Sequence, residues 1–420
     1  MEIRLPYGRS HHTVHLPDTI PYEMLEAAPV AQPENFEQQL SSEIEKGLDN
    51  AVRAMNKKRI RTVSVAVPDE TRPVPVKAIL PVLIRKVMEL LPRVSDDNIT
   101  ILLGGGLHPP PDAEGINAIL PVEDLGNAEI IAHDALRSTL AYYGRTSRQT
   151  PVYIHSRMAA ADMKIVIGQI DPHQFVGFTG GAKGIVIGTG GKDTIEHNHS
   201  LLFGENASVG VLNGNPVRED LNEAGGMVGI HFAVNVVMTP DKKPAGVFAG
   251  DPDEVLTRGA ALCARVYGVA LDERFDMIIA SCGGYPKDIT LYQAQKGMNM
   301  ASRALKPGGK LLLLASCEQG VGDPVYYDYA SMFECMDDAM EDFRQKKFRM
   351  GLHKCYLFGC TTTRHEAVLH TELDEETIAD CLLVKKNAQV ALNGWIDSFH
   401  GTPRIGVVPY ANTTYFYDKS

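Results

Sequence analysis

Short β-branched and aliphatic runs that alternate with longer stretches of helical period constrain this chain more than any other feature. The runs are TVSVAV (62–67), ITILLGG (99–105), EIIAH (129–133), KIVIGQI (164–170), FAVNVVM (232–238), DMIIAS (276–281) and KLLLLAS (310–316). Helical stretches such as VKAILPVLIRKVMELL (76–91) and DEVLTRGAALCARVYGV (253–269) separate many of them. Strands that alternate with helices imply parallel sheets joined by crossover helices. At 420 residues the chain is too long for one ordinary core. The expected fold is therefore α/β, with two lobes of mainly parallel sheet flanked by helices and the active site in the inter-lobe cleft.

A boundary is expected near 268–275 (GVALDERF), where a long helix ends and a new strand series begins. This gives an N-terminal lobe over 1–270 and a C-terminal α/β lobe over 271–400. In the remaining tail, 401–420, RIGVVPYANTTYFY (404–417) reads as a strand returning to the first lobe. The alternating EIRLPYG and HTVHLP predict a hairpin at the N-terminus, and PENFEQQLSSEIEKGLDNAVRAM predicts a helix after it.

Composition excludes several classes. Forty-one Lys+Arg against 52 Asp+Glu leave a net charge of -11, which argues against nucleic acid or an anionic membrane as partner. A small anionic substrate stays compatible with it, because a local Arg/Lys cluster can override the global sign. No run of about 18 apolar residues occurs, and MEIRLPYGRS lacks an apolar signal core. Seven Cys with no CxxC fit reduced thiols better than a disulfide frame or zinc knuckle. The expected location is cytoplasmic; the oligomeric state is not legible.

The unusual residues cluster in loops that follow strands, where α/β folds place ligands. DETRP (69–73) follows TVSVAV, GGGLHPPP (104–111) follows ITILL, DPHQFVGFTGGAKGIVIG (171–188) follows KIVIGQI, and SCGGYPKDITLYQAQKG (281–297) follows DMIIA. The third loop carries Thr179, Gly180, Gly181 and Lys183 among many glycines. Such a loop lets backbone N–H groups approach a phosphate, yet it is neither GxxxxGK[ST] nor GxGxxG. Tight turns are the plainer reading; the embedded His173 and Lys183 favour an anion or cofactor loop.

His108 is fixed between glycines and prolines, and His173 follows Asp-Pro. A lone His is more often structural, but two in strand-end loops can serve as general acid and base. His197 and His199 form HNHS; an HxH pair on an extended strand can bind metal, while without a third ligand nearby two exposed loop histidines is the simpler reading. Arg72 suits bidentate capture of a carboxylate with Asp69 orienting it, and DETRP also reads as a cap for the helix near Val76. Gln293 and Lys296, three apart in a predicted helix, share a face aimed at an anion or at solvent.

In order and spacing, DETRP, GGGLHPP, HQFVGFTGGAKGIVIG, HNHS and LYQAQKG resemble the nickel-dependent lactate racemase family, over about residues 60 to 300. The most specific part is the series His173, Lys183, His199, ten and sixteen apart. The resemblance implies a 2-hydroxyacid racemase or epimerase that uses a nickel-pincer nucleotide (pyridinium-3,5-bisthiocarboxylic acid mononucleotide nickel). It implies attachment at Lys183 through a thioamide, with Thr179, Gly180 and Gly181 in the cofactor loop, and His199 as nickel ligand. His108 and His173 match the acid/base pair. Arg72, Tyr292, Gln293 and Lys296 match residues around substrate and cofactor, with Asp69 in support.

The implied reaction is reversible hydride transfer through a 2-oxo acid. The implied partners are a small 2-hydroxy acid and the cofactor-synthesis enzymes, and recombinant protein made without that pathway is expected to be empty. One departure stands out. Lactate racemases place a Trp near the cofactor in the second lobe, whereas the only Trp here is Trp395, in NGWIDSF. FRMGLHKCYLFG (348–359) offers His353 and Lys354 instead, which leaves the identity of the 2-hydroxy acid open. The alternatives are a non-enzymatic carrier of the nickel cofactor, or a related enzyme using it for another redox or lyase reaction. A nicotinamide dehydrogenase is disfavoured by the missing GxGxxG.

Overall fold

The computed structural model describes residues 1–55 and 57–419. It divides into two compact units, Pro29–Val266 and a second made of Met1–Ala28 with Tyr267–Ser420.

The first unit is built on a six-stranded sheet. The chain lays down Val63–Val67 and steps outward to Ile99–Leu103 and Glu129–Ala132. It then returns to the other side of Val63–Val67 with Met163–Gln169 and steps outward to Phe232–Met238. These pairings are parallel; only the edge strand Pro244–Gly250 is antiparallel. The reversal lies between Val63–Val67 and Met163–Gln169, so the loops leaving their carboxyl ends diverge and open a crevice. One face of the sheet packs Val63, Val65 and Val67 against Leu40, Ile44 and Leu48 of helix Phe36–Ala54 and Ile79 and Leu83 of helix Val76–Leu90.

The second unit repeats the plan. Its five-stranded sheet runs Glu366–His370, Leu305–Leu314, Phe275–Ser281, Ile405–Val408, Tyr22–Met24, with every pairing parallel. Chain order again reverses at the first strand of the series, Phe275–Ser281, whose carboxyl end leads into the Gly283-Gly284 loop.

The mainly parallel α/β fold matches the sequence expectation, and the ends of the chain do not. The tail stays with the second unit rather than returning to the first. Ile405–Val408 is buried throughout and is flanked on both sides by strands, while Tyr415–Asp418 pairs with Gly268–Leu271. Met1–Ala28 joins the same unit, because Tyr22–Met24 covers the free edge of Ile405–Val408. A four-residue apolar strand carries no signal of which sheet it completes.

Candidate active site

Val67 and Leu103 are register partners, so the loops that follow them leave the sheet side by side. Asp69 is buried beyond the first and His108 lies beyond the second; Asp69 Oδ2 is 2.6 Å from His108 Nδ1. Thr71 donates to Asp69 Oδ1 through its hydroxyl (2.5 Å) and its N–H (3.2 Å). Burial pushes the Asp69 carboxyl up, but the hydrogen bonds from His108 and Thr71 and the charges of His108 and Arg72 outweigh it and hold it below its ordinary value. An ionised carboxylate only accepts, so the shared proton sits on Nδ1, and in the neutral ring the lone pair is then on Nε2. Gly105 makes the contact sterically feasible: a Cβ there would lie 2.6 Å from Asp69 Oδ2. The capping role read for DETRP is absent, since the Val76–Leu90 helix starts at Pro75 without a side-chain cap.

Asp69, Arg72, His108, Thr179, Gly180, Gly181 and Lys183 line one pocket at the sheet's reversal point. Arg72 is exposed and, among the described residues, forms no ion pair within 4 Å. The glycine loop is held rigidly. The Thr179 hydroxyl donates to Gln169 O and accepts from Asp171 N–H, both at 2.8 Å, so it clamps the turn. Gly180 and Gly181 have φ of +92° and +57°, and a Cβ on Gly180 would lie 2.6 Å from Ile170 Cγ1.

Two side chains not singled out from sequence support this loop. Asn235 Oδ1 accepts the Gly181 N–H at 2.9 Å, and the buried Arg218 donates to Gly180 O at 3.3 Å and to Phe178 O. An Asn inside the apolar run FAVNVVM was a legible signal, because a buried amide needs partners; Arg218 carried none.

His173 and His199 do not line that pocket. Both contact the Phe175 ring edge-on, with centroids 4.7 and 5.2 Å away. His173 Nδ1 accepts the Val176 N–H at 3.3 Å, which leaves Nε2 as the protonated atom of the neutral ring. HNHS is neither extended nor an exposed loop. It ends helix Lys192–Ser200, where residues two apart point about 200° away from each other. The His197 ring donates to Thr150 Oγ1 (2.9 Å), whose hydroxyl is in turn bonded to Asp220. His199 is buried, and burial together with the Lys183 charge pulls it down to about 3, so it is neutral at neutral pH.

In the second unit, Tyr292, Gln293 and Lys296 lie on helix Leu291–Ser302, capped by Thr290. Gln293 is exposed, whereas Tyr292 and Lys296, four apart, share the face that meets the start of helix His353–Thr362. There the Lys354 ammonium lies 4.5 Å from the centre of the Tyr292 ring, and His353 meets the same ring edge-on. Trp395 forms no ring contact with this group among the described residues. It is buried in the sheet's hydrophobic cluster and donates to Glu366 at 2.7 Å.

Among the described residues no group of three or more His, Cys, Asp or Glu side chains forms a metal site by itself, and no helix is long and apolar enough to cross a membrane. The residues do fit a tethered nucleotide that brings most of its own metal ligands. A primary amine stands in a glycine-lined pocket, and its charge acts on a neutral, buried imidazole.

Comparisons with known proteins identify the family and the fold. Residues 7–210 match the lactate racemase N-terminal domain and residues 271–388 the lactate racemase C-terminal domain. The chain is 31% identical over 358 residues to lactate racemase of Lactiplantibacillus plantarum, covering 82% of each, and 27% identical over 347 residues to that of Thermoanaerobacterium thermosaccharolyticum, covering 80% of each. The apoprotein structure of the latter superposes with a TM-score of 0.89 at 23% identity, covering 99% of this chain and 100% of that one. A Thermotoga maritima protein superposes at 0.64 with 15% identity, covering 93% of this chain and 100% of that one. The chain belongs to the lactate racemase family of isomerases.

Proposed function

We propose that this protein racemises or epimerises a 2-hydroxy acid, lactate or a related 2-hydroxycarboxylate, by reversible hydride transfer through a 2-oxo acid. The reading includes a nickel-pincer nucleotide joined to Lys183, with His199 as the protein's nickel ligand. When bound, that cofactor supplies the hydride acceptor and donor.

The chain's own residues do the rest. Arg72 holds the substrate carboxylate by a charge-assisted contact. His108 takes the hydroxyl proton at Nε2, because Asp69 occupies Nδ1. His173 serves the opposite enantiomer. Its Nδ1 is engaged by Val176 N–H, so acting as a base at Nε2 requires a change of tautomer. The amide of Asn235 and the guanidinium of Arg218 keep the 178–181 backbone fixed while Lys183 carries its load. The resemblance alone assigns Tyr292, Gln293 and Lys296 to substrate and cofactor.

The Asp69–His108 pair beside Lys183 carries this reading. A cofactor carrier needs Lys183 and His199 but has no use for an oriented general base. The test is protein made together with the cofactor-synthesis enzymes, examined by intact mass, metal analysis and chiral assay of single enantiomers of 2-hydroxy acids. An adduct on the Lys183 peptide, bound nickel and conversion of each enantiomer into its mirror image are expected. Loaded protein that converts no 2-hydroxy acid in a broad screen overturns the reading in favour of the carrier.

A further inference from the structure

Helix Lys192–Ser200, which carries His199, has little apolar surface to hold it. Ile195 is its one aliphatic side chain, and the other buried residues are Thr194, Glu196, Asn198 and His199. Apolar contact is non-directional, so a single isoleucine sets the rotation of such a helix about its axis poorly. Thr194 and Asn198, four apart, share one face and are both fully buried.

Directional bonds hold that face. The Thr194 hydroxyl donates to Pro151 O at 2.7 Å and accepts the Tyr153 N–H at 2.9 Å. The Asn198 amide donates to Val217 O at 3.0 Å and to Asp220 Oδ2 at 2.8 Å, so both of its protons are used. Asp220 lies on helix Pro216–Val228 and is itself fully buried. It accepts the Thr150 hydroxyl on the same oxygen at 2.8 Å and the Thr146 hydroxyl on Oδ1 at 2.5 Å. Two hydroxyls of the 146–150 turn thus fix the carboxylate, and the carboxylate fixes Asn198. Consecutive residues of an α-helix point about 100° apart, so a clamp on Asn198 also sets the direction in which His199 leaves the helix.

We propose that Asn198, anchored on Asp220, is a positioning residue for the nickel ligand: it sets the rotation of the helix and through it the direction of the His199 imidazole. The inference rests on the reading of His199 as that ligand. Contacts that orient a metal ligand from the surrounding protein change metal affinity by about 10–100-fold.

The experiment uses wild type, Asn198→Ala, Asp220→Asn, His199→Ala and Glu223→Ala, each made together with the cofactor-synthesis enzymes. Two quantities are read: the fraction of chains with a mass adduct on the Lys183 peptide, and the rate at which nickel passes to excess EDTA, per adduct. Glu223 binds the same 146–150 turn through Ser147 and not through Asn198, so Glu223→Ala controls for a loosened fold. Asn198→Ala should keep the adduct and release nickel about 10-fold faster than wild type. Asp220→Asn should shift the rate in the same direction, and it decides the matter if Asn198→Ala does not fold. Glu223→Ala should match wild type.

Release at the wild-type rate from Asn198→Ala, or from Asp220→Asn where that variant decides, overturns the positioning role. With rapid release from His199→Ala, the ligand reading then still stands. Adduct and nickel lost in equal proportion, or release from Glu223→Ala as fast as from Asn198→Ala, overturns the role too, because either is the mark of a general loss of structure. Wild-type release from His199→Ala, or wild type that carries neither adduct nor nickel, overturns the ligand reading and this inference with it.

Discussion

Asp69 and His108 meet at 2.6 Å because the two parallel strands that precede them end in register at Val67 and Leu103. A buried carboxylate, kept ionised by two donors, holds one nitrogen of an imidazole that lines a pocket. This arrangement suits His108 to the base role proposed for it.

Asp69→Asn should expose that dependence. The amide can donate to Nδ1 and so favours the wrong tautomer, and kcat should fall by about 10²–10⁴-fold with nickel content unchanged. Steady-state kinetics with parallel metal analysis decide the matter. Activity within a few-fold of wild type would show that His108 does not act as a base.

His199→Ala should lose nickel and activity together, because an imidazole that is neutral at neutral pH is a competent ligand. His197→Ala should keep most of the metal. Its cost should appear as stability, about 1 kcal/mol for the lost bond to Thr150, read by denaturant unfolding. Lys183→Ala should abolish the mass adduct on its peptide. The reverse pattern between the two histidines would mean that the register of HNHS on its helix has been misassigned.

Asn235→Ala should act at a distance from the chemistry. It leaves the Gly181 N–H without an acceptor in the interior, at about 1–3 kcal/mol. Looser support of the 178–181 turn should also speed release or incomplete loading of the cofactor. Chemical denaturation and the fraction of protein carrying the adduct measure the two effects separately.

Acid should destabilise the first unit through His155. Burial, and then the neighbouring His133, pull it from its ordinary 6.5 down to about 4, so the folded protein refuses a proton that the unfolded chain accepts. Stability should therefore fall as pH drops from 6.5 towards 4 and level off below that, by about 2 kcal/mol from this group. In His155→Gln the pH slope over that interval should flatten. An identical slope in wild type and variant would assign the acid sensitivity elsewhere.

The two histidine bases should differ in their preferred enantiomer. His108→Ala and His173→Ala should each retain nickel and lose at least about 10²-fold in racemisation. With isotopically labelled substrate, any residual oxidation should favour opposite enantiomers in the two variants. Wild-type rates in both would end the two-base scheme.

Much of this protein was legible in its sequence, and for a local reason. Apolar runs of strand length alternating with amphipathic stretches admit few solutions other than a parallel sheet with crossovers, and ligand-binding loops then follow the strands. DETRP, GGGLHPP and the glycine loop were placed correctly on that ground alone, as was the helix opened by YQAQKG.

What stayed hidden depended on partners far away in the chain. Ile405–Val408 has the same pattern whichever sheet it completes, and only its pairing with Phe275–Ser281 assigns it. HNHS looked like a loop because its helix is short and polar, and burial rather than periodicity separates His199 from His197. Arg218 and Asn235 find a carbonyl and an amide N–H that packing brings to them. Hydrophobic period is written residue by residue, so sequence determines it. A buried polar contact exists only once two distant segments share a place, so tertiary structure alone decides it.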